Sequence, residues 1–386
     1  MNLKPDDKNF SDTFAEIDLK IFNNNFKKIK EYARRKNGDT KICSIVKANA
    51  YGHGMNVMAE ELSRQGTDYL GTADYSETAA LRNYLDSKKL NRVPILCLGL
   101  ITENNELTES LAGKNIEFSV ADISSAKMLD NIGKKLNRKP LIHIQVDTGI
   151  NRTGIKTEEA YSAAAEISGL KNIKVKGIYS HFATSEIPGN KYSELQLKKF
   201  KTAVKEIEES IMKFELRHIS NTGGILNFND GYFNMVRPGI SLYGFYPDEK
   251  KVKHRIGIEP VMTLKSKIKF IKELDKGESI SYGRTFFTNR RTRIASISAG
   301  YGDGYPRALS NRSKVFINGK FYKTTGTVCM DWIMADIGLK DKIKINDEAE
   351  LFGRNYPAHK LAALTNTISY EITCNISSRV KRIYRK

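Results

Sequence analysis

Between residues 41 and 240 eight short apolar runs alternate with helix-length periodic segments. No other feature narrows the possible folds as far. The runs are 41–46, 69–73, 94–99, 117–120, 141–147, 175–181, 216–221 and 235–240. Between them apolar residues recur at helical spacing. Met55, Met58, Ala59 and Leu62 share one face, with Gly66 as a stop signal, and Leu197, Phe200, Val204, Ile207 and Ile211 share another. Eight strands alternating with helices fit a closed parallel β/α (TIM-like) barrel. Alternation alone also fits an open doubly wound sheet; the count of eight favours the barrel.

After about Asp248 the pattern changes. Runs of period two, the β signature, cover 261–274, 278–288, 292–298, 314–337 and 348–352. Ile317-Asn318-Gly319-Lys320 is a strong two-residue hairpin signal. A chain of 386 residues is too long for one small core. The expected organisation is therefore a poorly ordered segment over 1–13, a β/α barrel over 14–250 and a mostly β domain over 251–386. The lysine-rich stretch 248–255 is the expected linker.

With 63 basic and 44 acidic residues the chain carries a formal charge of +19. A basic excess can signal nucleic acid or a membrane surface. Here the lysines fall between apolar helix positions, as in Phe26-Lys27-Lys28-Ile29-Lys30, and form no tail or aromatic-interleaved stripe. A solvated surface is expected, with no nucleic-acid partner and only weak attraction for small anions. Cys43, Cys97, Cys329 and Cys374 lie far apart with no C-x-x-C pair. That spacing argues against a zinc site and a disulfide framework, so no metal is expected and the compartment is reducing. Cys329, Cys374 and Trp332 read as packing residues. No run reaches membrane-spanning length, and the cytoplasm is the default.

In a barrel, chemistry gathers at the carboxyl ends of the strands. Lys47 follows the first strand, and Asp147-Thr148-Gly149-Ile150-Asn151-Arg152 follows the fifth. His181 ends the sixth, Asn221-Thr222-Gly223-Gly224 follows the seventh, and Arg237-Pro238-Gly239-Ile240 ends the eighth. A lysine at the end of a buried strand is costly to keep charged, and neutral it is a ready nucleophile toward a carbonyl. The turns after strands seven and eight are where barrels commonly hold a phosphate. A lysine nucleophile opposite a phosphate cradle suggests pyridoxal phosphate. Taken singly the residues are blander: Lys47 reads as a snorkelling surface lysine, His181, His53 and His143 as structural histidines, Tyr282 and Tyr301 as ordinary β-domain aromatics, and Arg379 as a salt-bridge residue.

Seven motifs in order change those odds. They are Val46-Lys47-Ala48-Asn49-Ala50-Tyr51-Gly52-His53-Gly54, Val146-Asp147-Thr148-Gly149-Ile150-Asn151-Arg152, Tyr179-Ser180-His181-Phe182-Ala183-Thr184, Met235-Val236-Arg237-Pro238-Gly239, Ser281-Tyr282-Gly283, Gly300-Tyr301-Gly302-Asp303-Gly304 and Val328-Cys329-Met330-Asp331. Over nearly its whole length the chain resembles the alanine racemase family, whose members join a pyridoxal-phosphate barrel to a β domain. The resemblance implies that Lys47 holds the cofactor through its amine. It implies that Tyr51, Thr222, Gly239 and Ile240 bind the phosphate and that Arg237 faces the pyridine nitrogen, with His181 and Asn221 beside the cofactor. Racemisation needs a base on each face of Cα: Lys47 would serve one, and Tyr282 from the other subunit of a homodimer the second. Arg152 and the Met330 N–H would bind the substrate carboxylate, with Tyr301 lining the pocket. Arginine has no acceptor and cannot stabilise a protonated pyridine, which disfavours transamination and decarboxylation.

Two positions depart from the family pattern. Many members carry a carbamylated lysine where this chain has Gln145, which cannot hold the carbamate. Arg152 is expected instead to be held by the Gln145 carbonyl oxygen or by a bound anion such as chloride. Near the C-terminus the family's Ile-Ser-Tyr-Arg-Val appears as Ile376-Ser377-Ser378-Arg379-Val380, so a phosphate-binding phenol is missing. A wider pocket and relaxed selectivity are expected there, unless Tyr246 or Tyr305 repacks. The leading function is racemisation of L-alanine to D-alanine for peptidoglycan. Alternatives are a serine or broad-specificity racemase, a related barrel decarboxylase, and a cofactor-binding protein without activity.

Overall fold

The computed structural model describes residues 12–36, 38–252 and 254–386. Residues 1–11 of the N-terminal segment, and Lys253 within the expected linker, lie outside the described residues. The chain divides into two units. One comprises Asn23–Ala50 and Gly54–Ile258, the other the residues up to Phe22, Tyr51–His53 and Glu259–Lys386.

The first unit is the barrel. Its eight strands run in the order Met235–Val236, Lys41–Ile45, Tyr69–Thr72, Ile95–Leu100, Ile116–Val120, Leu141–Asp147, Lys174–Tyr179 and Leu216–His218, neighbours pairing in parallel. A parallel bridge between Asn221 and Arg237 joins the last strand to the first, with the Arg237 N–H 2.8 Å from the Ser220 carbonyl oxygen. Tyr69–Thr72 and Ile116–Val120 are buried at every position, as strands covered on both faces must be. The helices bury the faces that their periodicity marks. Met55, Met58, Ala59 and Leu62 are inside in Met55–Arg64; Leu197, Phe200, Val204 and Ile207 are inside in Lys191–Ser210. Ile211 falls just past that helix and is half-buried.

The second unit is mostly β. Its long strand Met262–Leu274 is flanked by Thr292–Ile297, Glu348–Phe352 and Thr13–Asp18. Thr13–Asp18 also pairs in parallel with Lys381–Arg385. The barrel was expected to start at 14; this strand instead belongs to the β unit. Its partners lie far along the chain, and Ala15 and Ile17 are fully buried against them. No local pattern can reveal such a pairing. The expected boundary at 250/251 falls at Ile258/Glu259.

The hairpin forms as read: Lys314–Ile317 pairs with Lys320–Lys323 around Asn318 (φ 45°) and Gly319 (φ 85°). Positive φ at both central residues is the reason for Asn-Gly there. The run 278–288, expected as one strand, is broken. Ser279–Ile280 pairs with Phe286–Phe287, and between them Ser281 (φ 67°), Gly283 (φ 72°) and Arg284 (φ 48°) turn the chain. Two short helices, Ala358–Leu364 and Ser369–Cys374, were not foreseen. Cys374 and Trp332 are exposed rather than packed away, and Cys329 is half-buried.

Candidate active site

The chain after the first barrel strand is unusual. Ala48, Asn49, Ala50 and Tyr51 all have φ between 52° and 54°, a left-handed turn made without glycine. Each such residue costs about 1–2 kcal/mol, so the turn persists only where neighbours hold it. The Glu77 carboxylate accepts the N–H groups of Ala48 (3.2 Å) and Asn49 (2.8 Å). Asn49 Oδ1 accepts the Met55 N–H at 2.8 Å, and the Asn49 carbonyl accepts the Gly54 N–H at 2.9 Å. Lys47, half-buried, is thereby fixed at the junction of strand and turn.

Arg237 is almost fully buried, at 2% exposure. Its Nη1 donates to His218 Nδ1 at 2.6 Å; its Nη2 donates to the Ser180 carbonyl at 2.7 Å and to His181 Nδ1 at 3.2 Å. Burial lowers its pKa to about 10, so it remains a cation at neutral pH. Because a guanidinium only donates, His181 Nδ1 must accept, and a neutral His181 carries its proton on Nε2. It is neutral: burial, then the charges of Arg237, Arg152 and Lys47, hold its pKa well below the ordinary imidazole value. Arg237 thus contacts an uncharged imidazole directly, and Lys47 and Arg152 stand after the first and fifth strands of the same barrel.

Arg152 is exposed, on a loop fixed by Asp147, whose Oδ1 accepts the N–H groups of Gly149 (2.8 Å), Ile150 (2.9 Å) and Asn151 (3.2 Å). The expected Gln145–Arg152 contact is not formed. The Gln145 carbonyl oxygen accepts the Tyr179 hydroxyl at 2.9 Å, and its amide donates to Thr153 Oγ1 at 2.8 Å and to the Thr153 carbonyl at 3.0 Å. Burial pushes the Tyr179 phenol up to about 12, so it keeps the proton it donates. The amide of Gln145 is thus engaged at both ends by barrel neighbours.

After the seventh strand, Asn221 caps the turn Thr222–Asn227 by accepting the Gly224 N–H at 3.0 Å. Asn221 Nδ2 lies 3.5 Å from His181 Nε2, and since both carry hydrogens this is a contact and not a hydrogen bond. Thr222 Oγ1 accepts the Gly239 N–H at 3.0 Å and meets Ser241 Oγ at 3.1 Å, tying the last two turns together. Gly239 thus reaches a ligand only by sharing its N–H with Thr222. Ile240 opens the 3-10 turn Ile240–Tyr243, and its N–H is one that such a turn leaves unpaired internally.

The remaining candidates lie in the β unit and are described within it. The Tyr51 ring packs 5.9 Å from that of Tyr370. Gly52 (φ 84°) lies so close to the Thr373 carbonyl that a Cβ would meet its oxygen at 2.0 Å. Tyr282 is 73% exposed, Met330 52% and Tyr301 42%. Arg379 is the salt-bridge residue that its sequence suggests: Nε meets Asp303 Oδ1 and Nη2 meets Asp331 Oδ1, both at 2.8 Å, pinning the Tyr301 turn beside Met330. Ser378 is exposed. Of the two tyrosines named as substitutes for the missing phenol, Tyr305 is fully buried and Tyr246 is buried under the Arg255 guanidinium. Among the described residues no cluster of His, Cys, Asp and Glu could hold a metal ion, and no helix is long and apolar enough to cross a membrane.

The sequence did not point to Glu77 or the buried acid Glu117, and His143, expected to be structural, is fully buried. A carboxylate inside an otherwise apolar strand, Ile116-Glu117-Phe118, was the available signal for Glu117.

Comparison with known proteins identifies the family. Residues 17–247 match the alanine racemase N-terminal domain family and residues 261–384 the alanine racemase C-terminal domain family. An alanine racemase of Clostridium perfringens (strain SM101 / Type A) is 39% identical over 378 residues, spanning 97% of this chain and 95% of that protein. The structure of an alanine racemase of Clostridium difficile 630 superposes with a TM-score of 0.90 at 35% identity, over 98% of this chain and 97% of that one. That of an alanine racemase from Bartonella henselae with covalently bound pyridoxal phosphate gives a TM-score of 0.86 at 29% identity, over 97% and 100%.

Proposed function

The chain belongs to the alanine racemase family, and we propose from that premise that its barrel mouth holds pyridoxal phosphate and interconverts L- and D-alanine between two opposed bases. The observation that carries this reading is the buried Arg237 donating to His181 in a barrel whose strand ends also carry Lys47 and Arg152. Such a mouth fits a phosphate-bearing anion, and Arg237 offers a ring nitrogen only N–H donors.

Lys47 would hold the cofactor through its amine, with Tyr51, Thr222, Gly239 and Ile240 on the phosphate, Arg237 at the ring nitrogen, and His181 and Asn221 alongside. Pyridoxal phosphate, when bound, draws electrons away from the Cα of the amino acid joined to it. Everything else falls to the protein. Lys47 Nζ takes or returns the proton on one face of Cα. Tyr282 Oη, supplied by a second copy of the chain, does so on the other. His181, with its proton on Nε2, is suited to donate toward that phenol oxygen. Arg152 and the Met330 N–H bind the substrate carboxylate, with Tyr301 beside them. A bound anion such as chloride would serve as the countercharge to Arg152 that Gln145 does not supply. The exposure of Tyr282, Met330 and Tyr301 supports a homodimer in which the partner covers them. The D-alanine formed would feed peptidoglycan synthesis.

Purified protein with added pyridoxal phosphate is expected to convert L-alanine to D-alanine in D2O, with deuterium entering Cα. Bound cofactor without conversion or exchange of alanine, serine or any other common L-amino acid would overturn the racemase reading.

The exposed Ser378 favours a second, narrower reading, a pocket open to larger amino acids. Restoring the phenol with Ser378→Tyr is expected to cut kcat/KM for serine by roughly tenfold while alanine changes little, since small differences in pocket volume discriminate by about 1–3 kcal/mol. Equal losses for both substrates would remove this reading.

A further inference from the structure

Behind Arg237, away from the residues assigned above, lies a chain of buried polar groups. Arg237 Nη1 is 2.6 Å from His218 Nδ1; His218 Nε2 is 3.0 Å from His143 Nδ1; His143 Nε2 is 2.6 Å from Glu117 Oε2. Glu117, His143 and His218 are all at 0% exposure. The other carboxylate oxygen, Oε1, accepts from Lys176 Nζ at 2.5 Å and from the Tyr69 hydroxyl at 3.2 Å. Lys176 lies toward the surface, its side chain 19% exposed. The Tyr179 ring stacks flat on His218, centroids 4.9 Å apart and 1° from parallel, with the Arg237 guanidinium carbon 5.3 Å above the same tyrosine.

Only one arrangement of protons satisfies this chain. A guanidinium has donors alone, so His218 Nδ1 must present a lone pair and His218 must carry its proton on Nε2. That proton points at His143 Nδ1, which must therefore accept, leaving the His143 proton on Nε2 and directed at the carboxylate. Charging His143 would set its Nδ1–H against the Nε2–H of His218. Charging His218 would set its Nδ1–H against Arg237. The donor-only guanidinium at one end and the acceptor-only carboxylate at the other require the same direction for every bond between them.

We propose that Glu117 is a positioning residue for the reaction: through His143 and His218 it locks both tautomers and presents Arg237 to the bound ligand as an oriented donor. This rests on the reading of Arg237 as the residue at the ring nitrogen. The charge distribution is consistent with it. Burial would push the Glu117 carboxyl up, but its partners His143 and Lys176 outweigh burial and leave it below the ordinary carboxylate range. Burial and the Arg237 charge hold His218 well below the ordinary imidazole value. The proton therefore stays on the guanidinium instead of passing along the rings to the acid.

Two measurements test the proposal. The chain has six histidines, few enough for full assignment of ring nitrogens by long-range ¹H–¹⁵N correlation. In full-length protein at neutral pH, with and without added pyridoxal phosphate, His143 and His218 are each expected to carry one ring proton, on Nε2. A charged ring, or a proton on Nδ1 of either, overturns the proposal. In the second, Glu117→Gln keeps the shape but removes the charge. It is expected to lower kcat for alanine on the order of tenfold, with KM within about twofold. Wild-type kcat in a folded Glu117→Gln protein overturns the proposal as well. Should that variant not fold, the ring protonation of the wild-type protein decides, since it needs neither variant nor substrate. Failure of the racemase reading itself would appear separately, as unaltered protein that binds pyridoxal phosphate and converts no alanine.

Discussion

Lys47→Ala is expected to lose the absorbance band of amine-linked pyridoxal phosphate and to lower kcat for alanine by roughly a thousandfold or more. Proton transfer by one positioned base is worth about 10²–10⁴-fold. Here the same nitrogen would also anchor the cofactor, so the two losses compound. The left-handed turn sharpens the expectation. Four successive non-glycine residues at φ near 53° are kept in place by Glu77 and Asn49. A segment held in so unfavourable a conformation directly after a lysine makes sense if the lysine must stay put. A surface lysine would not need it. The check is a spectrum and a rate on the same sample, with exogenous amines added. A variant that keeps the band and turns over alanine within tenfold of the parent would remove Lys47 from the site.

How far the sequence could be read depended on the range of the interactions. The barrel strands were legible because each is a local run flanked by turn signals, and burial on both faces of Tyr69–Thr72 or Ile116–Val120 forces apolar residues into consecutive positions. The Asn318-Gly319 turn was legible because only a few residue types tolerate positive φ. Thr13–Asp18 was not, since its partners stand at Met262–Leu274 and Lys381–Arg385. The break at Tyr282 was not either: Ser281 and Arg284 take positive φ although neither residue type prefers it, so the alternation of 278–288 reads as uninterrupted strand. At the candidate site, residues carried by contiguous motifs were found, among them Lys47, Arg152, His181 and Arg237. Glu117 and His143 belong to no such motif. They stand on neighbouring barrel strands, and only the fold reveals that each satisfies the other. The Gln145 expectation failed for a related reason. It treated Arg152 as the natural partner of the amide, whereas Tyr179 and Thr153 take both ends.

Tyr282→Phe is expected to abolish exchange from one face of Cα, with racemisation falling by roughly 10²–10⁴-fold, the range for removal of a single acid–base group. Tyr282 stands on a turn that pushes it outward, at 73% exposure, as a residue serving a neighbouring copy would be. A subunit-mixing experiment separates that arrangement from a tyrosine acting within its own chain. Lys47→Ala homodimers lack the lysine at both sites, and Tyr282→Phe homodimers lack the phenol at both. In a mixed dimer with shared sites, the lysine of the Tyr282→Phe chain meets the tyrosine of the Lys47→Ala chain, and one of the two sites is intact. Random reassortment makes half of the dimers mixed, so two nearly inactive preparations, unfolded and refolded together with pyridoxal phosphate, should regain about a quarter of the parent activity. A tyrosine acting within its own chain predicts no recovery, because every site would still lack one base. Recovery near a quarter, with deuterium entering from both faces of Cα, is the expected result; a mixture as inactive as its components would return Tyr282 to the role of an exposed aromatic.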